Sequence, residues 1–199
     1  MAKRIDPEVR REQVADAVID EIAEHGLRSV TLARIAARSG LAIGSIRHYF
    51  GDTLREVMRF TLTVLMQRVA RRDTTLSTDP LTRIADAVAF TVPTSDQERK
   101  ENAALVEYRV MARTDPELAA DIAATSALSQ DAVRSALRDA MADRAIDDAT
   151  LDREALLLHA VVEGLSFSSA LFSAPLTEEH VHEAIAASLR RLREAHPPA

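Results

Sequence analysis

The sequence predicts an all-α protein of about nine helices, with a three-helix unit at the N-terminus, one longer helix and two short ones, and a larger helical body behind it. Three observations carry this. No run shows sustained apolar/polar alternation, and Ala, Leu, Arg and Glu dominate. Helix-start signals recur. Asp79-Pro80 and Asp115-Pro116 each offer an N-cap followed by Pro at the first helical position, and Thr53-Leu-Arg-Glu56 has the capping-box pattern.

The first helix is expected from about Pro7 to His25, with an apolar stripe at Val14, Val18, Ile19 and Ile22 and Gly26 as its left-handed stop. A short helix follows from about Thr31 to Ser39, with Leu32, Ile35 and Ala36 inward, and Gly40 breaks it. Another begins near Ile43 and runs through Tyr49. A longer one, Thr53 to Arg71, carries Leu54, Val57, Met58, Leu62, Leu65 and Val69 on one face. Pro80–Val92, Asp96–Arg113 and Pro116–Arg144 read as helices, the last long enough to be interrupted. Thr150–Phe172 is apolar through its middle, and Thr177–Glu194 closes the chain with Val181, Ile185, Leu189 and Leu192 on one side. The tail from His196 is expected to fray. The sequence divides into an N-terminal domain, 1–52, and a helical domain, 53–199, with a seam near residues 50–75 carried by the long helix.

Composition excludes several classes. The 199 residues hold 47% hydrophobic side chains, enough for a sizeable core, and a net charge of −6, so the chain is not a basic nucleic-acid coat. It has no cysteine, which rules out disulfides and thiolate chemistry and suits a cytoplasmic location. The N-terminus lacks an apolar signal region, and the longest apolar runs, such as Ala155–Leu158, fall short of a membrane span.

Charge is unevenly placed. Residues 1–60 carry ten Lys/Arg against nine Asp/Glu, and the rest is strongly acidic. No acid occurs from His25 to Gly51, while Arg28, Arg34, Arg38 and Arg47 do, which suggests a basic face suited to a polyanion. The stretch GLAIGSIRHYFGD, residues 40–52, concentrates three of the five glycines with Arg47, His48, Tyr49 and Phe50. Two short helices around a glycine turn, after a longer helix, describe a helix-turn-helix, whose second short helix enters the DNA major groove. On that reading Gly44 permits close approach, Ser45 offers a hydroxyl, and Arg47 and His48 project donors. Arg pairing two guanine acceptors gives roughly 1–3 kcal/mol of discrimination. Tyr49 aims at a phosphate, Thr31 caps and touches the backbone, and Lys3 and Arg4 form an arm. The composition leaves a second reading open, in which His48 and Tyr49 are a buried pair in an ordinary helical hairpin.

The stretch AEHGLRSVTLARIAARSGLAIGSIRHYF, Ala23–Phe50, resembles the DNA-binding domain of the TetR family of bacterial repressors. The match rests on the glycine ending helix one, Thr31, Ile35-Ala36, Gly40, Gly44-Ser45-Ile46 and Tyr49-Phe50, spaced without gaps. The resemblance implies DNA contacts from Thr31, Ile43, Gly44, Ser45, Arg47, His48 and Tyr49. Arg47 stands where many relatives have Tyr, and Thr53 where they have a Lys touching phosphate. DPELAAD (Asp115–Asp121), VVEGLSF (Val161–Phe167) and LTEEHVHEAI (Leu176–Ile185) resemble BetI-like members, which implies a ligand-binding and dimerisation domain.

The helix around Leu156–Phe172 is apolar over most of its circumference, so it must be buried on more than one side. In the related family two such helices from each subunit form a four-helix dimer interface. The residues expected there are Leu158, Val162, Leu165, Phe172, Val181, Ile185 and Leu189, and the alternative is the core of a monomer. A dimer reads a pseudo-palindromic operator, and a small molecule releases it. His159, Glu163 and Ser166, on one face of that helix, are candidate ligand contacts or a structural pairing; Glu107, Tyr108 and Met111 are a second candidate wall. The relatives' choline-like ligands imply a cation beside an acid and an aromatic. With no Trp and two Tyr, a medium-sized apolar molecule suits this chain better.

The residues give little support to two rival functions. A hydrolase using Ser166 with His159 has no oxyanion hole that can be named, and no catalytic, phosphate-loop or metal motif occurs. His180 and His182, two apart on a helix, diverge, so neither a metal nor a cofactor is expected. A protein-binding helical scaffold gives no reason for the acid-free interval.

Overall fold

The computed structural model describes residues 6–71, 77–89, 91–172 and 176–198. These form α1 (Pro7–His25), a short 3-10 turn (Leu27–Ser29), α2 (Leu32–Ser39), α3 (Ile43–Phe50), α4 (Leu54–Arg71), α5 (Pro80–Ala89), α6 (Asp96–Ala112), α7 (Pro116–Ala140), α8 (Asp148–Leu171) and α9 (Glu178–Ala195). Among the described residues there is no strand, and the predicted helix boundaries hold to within a few residues. Lys3 and Arg4 lie outside the described residues.

Local chemistry explains the ends. The Asp6 carboxylate accepts from Glu8 N at 2.9 Å with Pro7 behind it. Asp79 Oδ2 accepts from Thr82 N at 2.8 Å, and Asp115 Oδ1 from Leu118 N at 3.2 Å. Each satisfies a donor that the first helical turn leaves open. Thr53 and Glu56 do join, hydroxyl to carboxylate, at 2.9 Å. Glu56 also folds under Gly51, so a Cβ there would sit 2.6 Å from its Oε2. With φ at +81°, Gly51 holds a backbone conformation that suits glycine.

Contacts group the chain into two units. The first comprises Met1–Arg71 and Lys100–Ala119, the second Arg72–Arg99 and Ala120–Ala199. Residues 100–119 thus return to the N-terminal helices. The bonds that bring them back are specific. Tyr108 Oη donates to Met58 O at 2.9 Å, Lys100 Nζ to Asp20 at 2.9 Å, and Arg68 bridges Asp16 at 2.6 Å and Glu101 at 3.1 Å.

The second unit has its own core. Ile84, Val88, Leu137, Met141, Leu151, Leu158, Val162, Val181, Ile185, Leu189 and Leu192 form one buried cluster, with Leu165 packed against it. This corrects the expected interface. Leu158, Val162, Val181, Ile185 and Leu189 are 0–8% exposed inside the unit, so their side chains are spent on its own core. Of the seven, Phe172 alone is exposed. A buried stripe shows that something covers it, not whose side chains do.

Two smaller expectations also change. The tail is pinned: Arg144 Nη1 donates to His196 O at 2.9 Å, and Arg144 and Pro198 form a bridge. By length and composition α8 passes for a membrane span, because the count of uninterrupted apolar residues overlooked the Ser, Gly and His a helix can carry. Its Leu151–Ala155–Leu158–Val162 face nonetheless sits in the helical core.

Candidate nucleic-acid interface

α2 and α3 form the turn that the sequence suggested. Thr31 Oγ1 accepts from Arg34 N at 3.2 Å and starts α2; Gly40, with φ +69° and ψ 14°, ends it in the left-handed region. Gln13 of α1 fixes that corner by donating to Ser39 O at 2.6 Å. α3 then turns Ile46 and Phe50 inward, at 0% and 6% exposure. Arg11 lies over the Phe50 and Phe60 rings, 5.3 and 4.7 Å from their centroids, and so ties α1 to the end of α3 and to α4.

The opposite face of α3 is open. Ile43, Gly44, Arg47 and His48 are exposed, and Ser45 and Tyr49 are half-buried. His48 and Tyr49 meet edge to face at 5.4 Å, with His48 exposed, so they are not a buried pair. Arg47 makes only a loose contact with Asp52, 3.8 Å between two exposed side chains. Nothing lies within 4 Å of where a Gly44 Cβ would stand. Glycine costs a helix roughly 0.5–1 kcal/mol relative to Ala, and the fold offers no steric reason for it here. Thr53 is exposed, but its hydroxyl is given to Glu56, a carboxylate that repels phosphate.

The acid-free interval is less basic in space than in sequence. Glu21 of α1 pairs with Arg34 and, at 3.2 Å, with Arg38; Glu24 grips Arg38 with two bonds of 3.0 and 2.7 Å. Burial alone would raise the Glu21 pKa, but hydrogen bonds from Ser29 and Arg34 and the nearby charges of Arg34 and His25 carry it below its ordinary value. The Glu24 hydrogen bonds, opposed by burial, push Arg38 the other way, holding it charged. Glu21 was missed in the sequence, although it lies seven residues after Val14 and three after Val18, on the apolar stripe itself.

The ligand candidates separate. Tyr108 and Met111 line a cavity in the first unit, with Glu107 exposed beside them and accepting from Leu27 N at 3.4 Å. His159, Glu163 and Ser166 lie in the second unit. His159 Nε2 is 4.0 Å from Glu163 Oε1, and both His159 and Ser166 are buried. His182 is taken by Asp86 at 3.0 Å, and no group among the described residues has the make-up of a metal site.

A trihelical unit with its third helix presented outward defines a helix-turn-helix DNA-binding regulator. Residues 15–53 match the family model for bacterial regulatory proteins of the tetR family, and 80–194 that for the C-terminal part of BetI-type transcriptional repressors. The chain belongs to the TetR family, whose members are transcriptional regulators and not enzymes. It is similar to the HTH-type transcriptional regulator PksA of Bacillus subtilis, 26% identical over 193 residues that span 93% of this chain and 90% of the relative. An 85-residue stretch is 38% identical to the regulator BetI of Paraburkholderia phytofirmans, covering 41% of this chain and 44% of that one. Among solved structures, a transcriptional regulator from Rhodococcus sp. Rha1 shares the fold with a TM-score of 0.79, 24% identity, and coverage of 94% and 97%. Another, from Saccharomonospora viridis in complex with choline, has a TM-score of 0.76, 16% identity, and coverage of 92% and 96%.

Proposed function

We propose that this chain is a cytoplasmic repressor that binds a pseudo-palindromic operator as a homodimer and is released by a small-molecule effector. The observation that carries the reading is the open face of α3. Ile43, Gly44, Arg47 and His48 project from a helix whose other side is locked to α1 and α4. Arg47 and His48 read base edges, Ser45, Tyr49 and Thr31 reach the backbone, and Gly44 lets the helix come close. We leave Thr53 out of the set because of Glu56.

A single unit of this kind reads a short half-site, so a two-fold dimer is required for an operator. What supports dimerisation is the row that α8 leaves uncovered. Leu156, Leu157, Val161, Phe167, Leu171 and Phe172 are 37–65% exposed. An apolar face of that length on a regulator is the mark of a partner surface. This row replaces the buried residues first expected there. Choline is not carried over from the Saccharomonospora relative, since Tyr49 does not line the cavity that Tyr108 walls, and no Trp is available for a cage.

The test is selection of bound duplexes from a random library, followed by footprinting with variants. Arg47→Ala is expected to lose sequence preference. Thr31→Ala is expected to weaken all sequences about equally and, through its lost cap, to cost about 1 kcal/mol of stability. Failure to enrich any sequence, or a dimer-free protein at high concentration, refutes the reading.

A further inference from the structure

A cavity of about 240 Å³ lies wholly within the first unit. Its wall is formed by Val30, Met58, Tyr108, Met111 and Leu118, from four separate segments of the chain. Larger than an apolar hole of about 150 Å³ that holds benzene, it is smaller than most sites for drug-sized molecules. Tyr108, the buried polar group of the wall, already donates its hydroxyl to Met58 O at 2.9 Å, and Arg59, Arg55, Asp115 and Glu117 bring charge to the lining, each with a partner of its own. At the exposed margin Arg55 is held by Asp115 at 3.1 Å and Glu117 at 2.6 Å. A charged ligand would have to break those pairs and then lie against hydrocarbon, where its lost hydration is not replaced.

We propose that this cavity binds a small neutral apolar molecule, one ring or a short chain, and that its occupancy changes the grip on DNA. The second half of the proposal rests on the DNA-binding reading above. The coupling is short. Val30 precedes Thr31, the cap of α2, and Leu27 N is bonded at 3.4 Å to Glu107 of α6. A ligand seated against Val30, Tyr108 and Met111 therefore presses on the segment that starts the helix-turn-helix, without acting through the second unit. The favoured states differ in whether that segment is seated on α6, and a ligand that prefers one of them shifts the balance.

The probes are indole and 1-octanol, added to the full chain. The five methionines supply a variant-free readout through their methyl NMR signals. Met58 and Met111 are expected to shift with saturation, and Met141, in the core of the second unit, to stay. At ligand about ten times Kd, the melting temperature should rise by roughly 3–6 °C. Met111→Trp and, should that variant not fold, Leu118→Phe narrow the space and reduce the rise. Unmoved Met58 and Met111 signals, or an equal rise in a folded narrowed variant, overturn the site. In a second arm, affinity for a duplex recovered by selection is expected to change at least about fivefold on saturation. Unchanged affinity with a filled cavity overturns the coupling. If no duplex binds at all, the functional reading has failed, and the methyl signals still decide the cavity.

Discussion

Gly44→Ala separates what α3 does for the fold from what it does for DNA. Gly44 is the second residue of an eight-residue helix, and nothing stands within 4 Å of the position a Cβ would take. Inside the protein the methyl is therefore free of clashes, and it removes backbone freedom from the unfolded chain. In a mid-helix position that is worth roughly 0.5–1 kcal/mol; in the first turn we take the lower end, about 0.5 kcal/mol. For a chain of this size the melting temperature should rise by about 1–2 °C. At the DNA surface the same methyl occupies space that close approach requires. Overpacking a tight contact costs about 1–3 kcal/mol, which is a loss of roughly 5- to 150-fold in affinity. Thermal unfolding followed by circular dichroism measures the first effect, and fluorescence anisotropy on a selected duplex the second. The two signs must oppose. Higher stability with unchanged affinity would place Gly44 away from the DNA, and lower stability would show that the glycine serves the fold.

Three further outcomes are expected. The Glu21 carboxyl is held below its ordinary value of 4.5, so its contribution is complete above that pH and is lost as pH falls through the folded-state value. Glu21→Gln should cost about 1 kcal/mol at neutral pH, discounted for the half-exposed Arg34, and should flatten the acid limb of a stability–pH curve; an unchanged limb counts against the assignment. Leu157→Glu, on the uncovered row of α8, should yield a folded monomer by analytical ultracentrifugation, whereas Leu158→Glu, 5% exposed, should not fold; equal behaviour of the two contradicts the division of that helix. Gly51→Ala should destabilise by about 1–2 kcal/mol in chemical denaturation, since Ala is strained at φ +81°, while the Glu56 carboxylate, at the end of a flexible side chain, swings aside.

What the sequence made legible was whatever a few neighbouring residues decide. Thr31, Gly40 and Gly26 act within one turn of themselves, so α1, α2 and α3 were readable almost to the residue. α9 shows the limit. Its stripe Val181–Ile185–Leu189 was rightly read as buried, but covering by α5 and covering by a partner leave the same periodicity. Arg34 and Arg38 show it for charge: their acids lie 13 and 14 residues upstream, on a helix whose facing direction only packing reveals. The tail was misjudged because its anchor, Arg144, is more than 50 residues away. The cavity beside Tyr108 was half visible, as Tyr108 and Met111, and its other walls come from segments that no local pattern connects.

The Glu21–Glu24 clamp on the two arginines of α2 has a consequence for how the molecule meets its target. Affinity for duplexes falls with added salt in proportion to the phosphates neutralised, by about 0.9 logarithmic units per contact for each tenfold increase in concentration. Side chains already matched by internal acids displace few condensed ions. The grip should accordingly be less sensitive to ionic strength than a tally of the arginines near the amino end implies, and it should depend more on snug fit than on long-range pull.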